Sequence, residues 1–475
     1  MKTLINRRRT IQLLGAAVAV PGELAFGRSG NQDAQVIVIG AGVSGLNTAL
    51  ILEEQGLDVL ILEGSNRIGG RVYTLDDKKH KPNAGANELS AESHPRTVDM
   101  AKRLGLAFIP WLGPGTGTGF PAMSFYINGK TVAMEQWATS PTNKIMGKTK
   151  SLPPIAQANA FFPKQSPLEH LGSWLEPEAA YLDTSYYDYL QQQNIDPEAL
   201  RIIQERHTGK DLREVSTLWQ LRLQRLFSFR EVNTLFGIEG GTSRLTDGMT
   251  TLLKRNIDLN TKVTGIRVKD ESVEIKDSTG RTYKAQYAVC TTPLTMLREI
   301  TIEPTLPELH AAAVEQIPYD ENISVFLDIK EPFWEKDGLP PIMWAEGTGT
   351  WVKMTRDPEG HGYYWISISG NRTKKWQDKN DDIIVQDLID ELAKIRPSSK
   401  GKVEPIAVQN WHTHPWTKGH GAYLSPGQIK KFSDILTKPF GRLYFAGTHT
   451  ARLSTGMEGA MEAGERAALD ILLNL

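Results

Sequence analysis

The sequence predicts an α/β fold with a Rossmann-like nucleotide-binding unit, joined to a second unit of α+β type on a mixed sheet. Three observations carry this. A β-branched run, Gln35 to Ile39, leads into Gly40-Ala41-Gly42-Val43-Ser44-Gly45 and then an apolar, helix-like stretch. A second apolar run, Asp58 to Leu62, ends at Glu63. Farther on, Ile323 to Ile329 and Tyr363 to Ile368 alternate apolar and polar residues, as half-buried strands do.

Gln35 to Ile39 reads as a buried parallel strand. Gly40 permits the tight turn, Gly42 lets backbone approach a pyrophosphate, and Gly45 allows the helix to pack on the strand. The helix start, with Ser44 in its first turn, points free N–H groups at negative charge. Asn47 to Gln55 continues as helix, and Gly56 is its expected stop. Glu63 follows the glycines by about 20 residues, where a carboxylate accepts bonds from a ribose 2′-hydroxyl and repels a 2′-phosphate. Strand, glycines, helix, strand and acid in register predict an adenine dinucleotide.

Composition sets the outer limits. The chain has 475 residues, 40% of them hydrophobic, enough for a sizeable core. Its 54 basic and 55 acidic residues leave a formal charge of -1, which offers no footprint for a nucleic acid. A single cysteine, Cys290, excludes an intramolecular disulfide and a cysteine metal site. His412 and His414 lack nearby acids in ligand spacing, so no metal is expected. At the N-terminus, Asn6-Arg7-Arg8-Arg9-Thr10-Ile11-Gln12-Leu13 resembles a twin-arginine signal. The apolar run Leu13 to Val20 is shorter than the roughly 20 residues that span a bilayer. Residues 1–30 are therefore expected to be a signal or tail that directs export to the periplasm. No later segment reads as transmembrane.

Arg67-Ile68-Gly69-Gly70-Arg71-Val72-Tyr73-Thr74 follows Glu63 and Gly64. Its paired glycines allow a close approach to a cofactor, and Arg71 can neutralise a pyrophosphate. With this segment the sequence resembles the flavin-containing amine oxidase family, which includes monoamine, polyamine and L-amino-acid oxidases. Arg442 to Thr448, then Gly456-Met457-Glu458-Gly459-Ala460 to Ala468, resemble the family's C-terminal flavin motif. Glu239 to Ser243 resembles its double-glycine helix entry, Thr261 to Ile266 the strand whose valine holds the adenine side, and Lys330 to Trp334 part of its substrate domain. The segment from about Trp111 to Gln165 matches least and reads as loops and surface.

The resemblance implies FAD, and it implies an interleaved architecture. FAD-binding pieces would span 34–92, 232–296 and 405–475, with substrate-domain pieces at 93–231 and 297–404. The implied FAD contacts are Gly40, Gly42, Ser44, Gly45, Glu63, Gly64, Gly70 and Arg71 at the first motif. Gly85, Ala86, Asn87, Val263, Gly447, Thr448, Gly456 and Met457 complete the set. Monoamine oxidases attach flavin through a cysteine in the segment matching Gly419 to Gly427, and none stands there, so the FAD is expected to be non-covalent. His420 is a weak candidate for a histidyl link. Cys290 reads as a buried core thiol.

Three departures shape the functional expectation. Ser324 stands where family oxidases carry a lysine that is thought to help reaction with oxygen, and Lys330 aligns elsewhere. Gly456 stands where one wall of an aromatic cage is usual, while Tyr423, in Trp416 to Tyr423, is a candidate for the other wall or for core packing. Glu88 stands where L-amino-acid oxidases place a carboxylate-clamping arginine, with Glu92 able to share its role. A carboxylate attracts an ammonium, so Ser324, Glu88 and Tyr423 are assigned to the substrate side of an amine or polyamine oxidase. Oxygen or another acceptor, such as a quinone or cytochrome, would take the electrons. Three alternatives stay open: an L-amino-acid oxidase using Arg225 or Arg230, a flavin dehydrogenase or desaturase, and a flavin-binding protein without turnover. A homodimer is compatible with the sequence.

Overall fold

The structure, a computed structural model, describes residues 33–112, 122–207, 211–228, 235–355 and 360–475. The twin-arginine stretch and Arg230 lie outside these residues. The first strand, Val36–Ile39, is the centre of the nucleotide-binding unit. It pairs in parallel with Val59–Leu62 on one side and Tyr287–Cys290 on the other, and Leu443–Phe445 extends the sheet beyond Tyr287–Cys290. All four residues of the first two strands are buried, which is why they carry uninterrupted apolar side chains. Cys290 is a buried free thiol on this sheet.

The helix Val43–Glu54 crosses from the first strand to the second, and Gly56 adopts a φ of 89° just past its end. Against it lies the last helix, Gly456–Leu472. A side chain at Gly464 would meet the Ser44 carbonyl at 2.4 Å, so glycine is what lets the two helices approach this closely. Helices Val43–Glu54 and Gly456–Leu472, far apart in the chain, thus pack side by side.

A smaller sheet, Thr301–Glu303, Val263–Val268, Val273–Asp277 and Thr282–Ala285 in that spatial order, stands beside the nucleotide unit. The second large sheet has seven strands: Val403–Asn410, Asn322–Ile329, Tyr363–Ser369, Gly349–Met354, Ile342–Ala345, Met123–Ile127 and Lys130–Ala133. It is mixed, because Ile342–Ala345 runs parallel to Met123–Ile127 while the other pairs are antiparallel. Helix Asp381–Ile395 covers one face with Ile384, Leu388 and Leu392, packed on Val325, Trp351 and Ile366. Helix Pro197–Arg206 covers the other with Ala199, Ile202 and Ile203, packed in one cluster with Phe326, Trp344 and Tyr363.

Two expectations need correction. Asn322–Ile329 is buried at every position rather than half-buried. Its alternation sorts two interior faces: Ile323, Val325, Leu327 and Ile329 join the core under Asp381–Ile395, and Asn322 and Ser324 face a cavity. The segment Trp111 to Gln165 is not only loop and surface. It contributes two strands of the seven-stranded sheet, with Phe125, Ile127 and Trp137 at most 1% exposed. Asn128 and Gly129 join those strands at φ values of 52° and 75°, the backbone that a two-residue hairpin turn requires. Surrounding Gly, Pro, Lys and Thr residues obscured this Asn-Gly signal.

Candidate active site

One cavity of ≈ 590 Å³ reaches from the first glycine turn to the polar face of the seven-stranded sheet. At the nucleotide end the three glycines have separate tasks. A side chain at Gly45 would lie 2.0 Å from the Gly40 carbonyl, and Gly40 itself has a φ of 106°. Gly45 therefore packs helix on strand and does not line the cavity. A side chain at Gly42 would meet nothing within 4 Å, and Gly42 lines the cavity with Gly40 and Ser44. This leaves an open cradle at a helix start, where a pyrophosphate fits.

The Glu63 carboxylate accepts from Ala41 N at 2.7 Å and Ser65 N at 2.9 Å, which fixes it at the cavity wall. Gly64 lies beneath Trp416, since a side chain there would come within 2.5 Å of the indole. Trp416 thus belongs to the nucleotide end, with Lys262 and Val263, rather than to a flavin-facing cage. Arg71 Nη1 donates to the His420 carbonyl at 2.5 Å, tying the Gly69-Gly70 segment to the loop before Tyr423. Gly85 is required where the chain passes the Arg71 carbonyl, which a side chain would approach to 1.8 Å. Gly70, Gly85, Ala86 and Asn87 all line the cavity here. Gly241 plays a supporting part: Asn83 Oδ1 accepts from Thr242 N, and Asn83 Nδ2 donates to Asn87 Oδ1.

At the other end of the nucleotide unit, Gly447, Thr448, Gly456 and Met457 line the cavity. The loop before Gly456 is held by two buried charges. Glu462 accepts from the backbone N–H groups of Arg452, Leu453 and Ser454 at 2.9 Å each. Arg222 lies between the rings of Trp174 and Trp219 at 4.3 and 4.6 Å, and donates to the carbonyls of Ala451 and Ser454. Burial lowers Arg222 to about 10 and leaves it charged at neutral pH. Arg222, Glu462 and His449 escaped the sequence analysis. His449 lines the cavity, with Nδ1 lacking a partner among the described residues. Burial first, then the positive charges of Arg71 and Arg466, push it down to about 3, so it is neutral.

Asn322, Ser324, Trp365, Ser367 and Ser369 form the sheet side of the cavity, whose lining also includes Glu88, Asp320 and Tyr423. Trp365 Nε1 donates to Ser324 Oγ at 3.3 Å, and Ser324 Oγ donates to Asn322 Oδ1 at 3.1 Å. Burial, then Glu214, Asp320 and Glu321, raises Tyr423 well above the usual tyrosine range and keeps its phenol neutral. Asp320 Oδ1 accepts from Gly421 N at 2.5 Å and faces His420 Nδ1 at 3.6 Å.

Several expected contributors stand elsewhere. Glu92 is exposed, accepts from Ser90 Oγ and does not line the cavity. Arg225 donates to the Glu169 carbonyl and is also outside the lining. Lys330, which was not expected at the site, pairs with Glu404 at 2.8 Å. Among the described residues, the lining arginines are Arg67 and Arg71, which flank the Gly69-Gly70 pair. Cys290 Sγ lies 3.1 Å from Thr292 Oγ1 and is not in the lining. No described group of three or more His, Cys, Asp or Glu residues could hold a metal ion. No helix among the described residues is long and apolar enough to cross a membrane.

Comparison with known proteins matches this geometry. A family profile described as flavin containing amine oxidoreductase matches residues 43–472. The chain is 27% identical over 472 residues to the flavin-containing amine oxidase B of Homo sapiens, covering 92% of this chain and 86% of that one. It is 26% identical over 458 residues to the flavin-containing amine oxidase of Danio rerio, covering 92% and 85%. Its fold is similar to that of cyclohexylamine oxidase from Brevibacterium oxydans, with a TM-score of 0.77, 23% identity and coverage of 93% and 99%. A putrescine oxidase bound to putrescine superposes with a TM-score of 0.76 at 20% identity, with the same coverage.

Proposed function

The chain belongs to the flavin-containing amine oxidoreductase family, FAD enzymes that act on amines, and from that premise we propose that it oxidises an amine or polyamine at the carbon beside nitrogen. When bound, FAD supplies the two-electron chemistry by accepting hydride at N5. The oxidised substrate is an imine, which water hydrolyses to a carbonyl compound and a smaller amine or ammonia.

The chain's own residues divide the work. The amides around Gly42 and Ser44, with Arg71, would hold the pyrophosphate, and Glu63 would hold the ribose. Gly447, Thr448, Gly456 and Met457 would receive the flavin end. The loop carrying Gly456 is kept in place by Glu462 and Arg222. Glu88 and Asp320 attract the ammonium, while Tyr423 and Trp365 exclude water and favour its loss of a proton before reaction.

The observation that carries this reading is the charge lining the cavity. Glu88 and Asp320 line it, and its lining arginines among the described residues, Arg67 and Arg71, lie in the Gly69-Gly70 segment that is read as holding the cofactor. That arrangement suits an ammonium better than an amino-acid carboxylate. Ser324 in place of a lysine supports a second element of the proposal, slow reoxidation by oxygen and a quinone or cytochrome as acceptor. With no cysteine in the cavity lining, the proposal also has the FAD bound non-covalently.

The test is anaerobic flavin absorbance of the purified protein, titrated with amines, polyamines and L-amino acids, followed by air. Bleaching by amines with slow recolouring is expected. Bleaching by L-amino acids alone overturns the amine assignment, and fast recolouring overturns the assignment of the acceptor. No bleaching by any of them points to a non-amine substrate or to a binding role.

A further inference from the structure

The polar side of the cavity is encoded by two short repeats of one pattern, Asn322-Ile323-Ser324 and Ser367-Ile368-Ser369. The strands are antiparallel, with Asn322 opposite Ser369 and Ser324 opposite Ser367. Ile323 and Ile368 point into the core, so the four polar side chains share the cavity face. Three serines and an asparagine on one buried face are costly unless hydrogen-bonded.

Most of their bonding capacity is used internally. Asn322 Nδ2 donates to Ser367 Oγ and to Ser369 Oγ at 3.0 Å each, and lies 3.3 Å from the Ile368 carbonyl. Asn322 Oδ1 accepts from Ser324 Oγ, which itself accepts from Trp365 Nε1. A serine hydroxyl has one proton and two lone pairs. Ser324 spends its proton on Asn322. Ser367 and Ser369 act only as acceptors here, and neither hydroxyl proton has a protein acceptor among the described residues. Asn322 therefore orients two hydroxyl groups whose protons are left to the cavity.

The charges nearby select what those protons can meet. Asp320 stands two residues before Asn322 and lines the same cavity, so its carboxylate disfavours an anionic acceptor beside these hydroxyls. We propose that Ser367 and Ser369 form a subsite for a neutral hydrogen-bond-accepting oxygen, a hydroxyl, ether or amide carbonyl, carried by the amine substrate. The inference rests on the amine reading above and adds a second recognition point to it. Asn322 is the positioning residue for both hydroxyls.

Matched amines test it on the full-length, FAD-loaded protein. 3-Methoxypropylamine and n-pentylamine share length and shape and differ by an oxygen in place of a methylene. The readout is the amine concentration that gives half the maximal rate of anaerobic flavin bleaching. The wild type is expected to bleach with the ether at roughly tenfold lower concentration, the value of one well-placed neutral hydrogen bond. In Ser367→Ala or Ser369→Ala the ratio between the two amines should fall toward one, and Ser367→Thr, which keeps a hydroxyl, should restore it. Should the alanine variants not fold, the wild-type ratio alone decides. Bleaching by both amines at equal concentration, or a ratio untouched by the alanine variants, overturns the subsite and leaves the amine reading intact. Bleaching by neither, nor by any other amine, overturns both.

Discussion

Asn47 Nδ2 donates to the Met461 carbonyl at 2.8 Å, joining the first helix of the nucleotide unit to the last helix of the chain. At the next residue, Thr48 Oγ1 lies 3.2 Å from the Gly464 carbonyl, and Gly464 abuts the Ser44 backbone. The helix starts at Val43 and Gly456, both at the cavity, are thereby referenced to one helix–helix contact. A methyl group at Gly464 would meet backbone rather than a movable side chain, so the helices must part. Gly464→Ala should lower stability by about 1–3 kcal/mol, read by denaturant titration, and weaken FAD binding as well. Unchanged stability would mean that the contact is looser than the structure shows.

Glu63 offers a cleaner division between cofactor binding and structure. Its carboxylate is anchored by Ala41 N and Ser65 N, and it faces the nucleotide end beside Gly42. Glu63→Gln should raise the Kd for FAD roughly 10- to 100-fold, the range for a hydrogen bond to a charged group. FMN lacks the adenosine, and its Kd should change little. An equal loss for both ligands would assign Glu63 to shaping the glycine turn instead.

Export is a proposal that rests on the sequence Asn6 to Leu13. Arg8 and Arg9 fall where a twin-arginine signal needs its pair, and that route carries proteins that have already folded around a cofactor. With both replaced by lysine, the charge is kept and the motif is lost. Cell fractionation should then find the protein in the cytoplasm with its flavin bound. Continued appearance in the periplasm would remove the twin-arginine assignment.

How much of this was legible follows from distance along the chain. The turn from Gly40 to Gly45, Glu63, the Gly70-Arg71 loop and the Gly456-Met457 helix start are local devices, and their spacing alone encodes the backbone they adopt. Arg222 was not legible. It acts on carbonyls more than 200 residues away and depends on Trp174 and Trp219 to enclose it. Trp416 lay in a stretch assigned to the substrate side, yet its ring covers Gly64, because the chain doubles back between Trp411 and His420. The Asn128-Gly129 hairpin was readable in principle and was hidden by its polar surroundings. Strand alternation identified two strands of the seven-stranded sheet and read them as half-buried, since a cavity and water leave the same pattern.

Two cavity histidines make stability fall in mild acid. His449 titrates at about 3 in the folded protein, through burial and the charges of Arg71 and Arg466. His414 titrates at about 4, through burial and Arg67. In the unfolded chain both titrate near 6.5. Between these limits the unfolded state binds protons that the folded state refuses, so stability rises with pH and is lost as pH drops below 6.5. Each histidine contributes about 1.4 kcal/mol per pH unit in that window. Carboxylates titrate over part of the same range, so the informative quantity is the difference between wild type and His449→Gln. Urea unfolding between about pH 4.5 and 6 should show the variant's slope shallower by one histidine. Parallel slopes would mean that His449 is protonated in the fold, with its Nδ1 supplied with a partner the cavity has to provide.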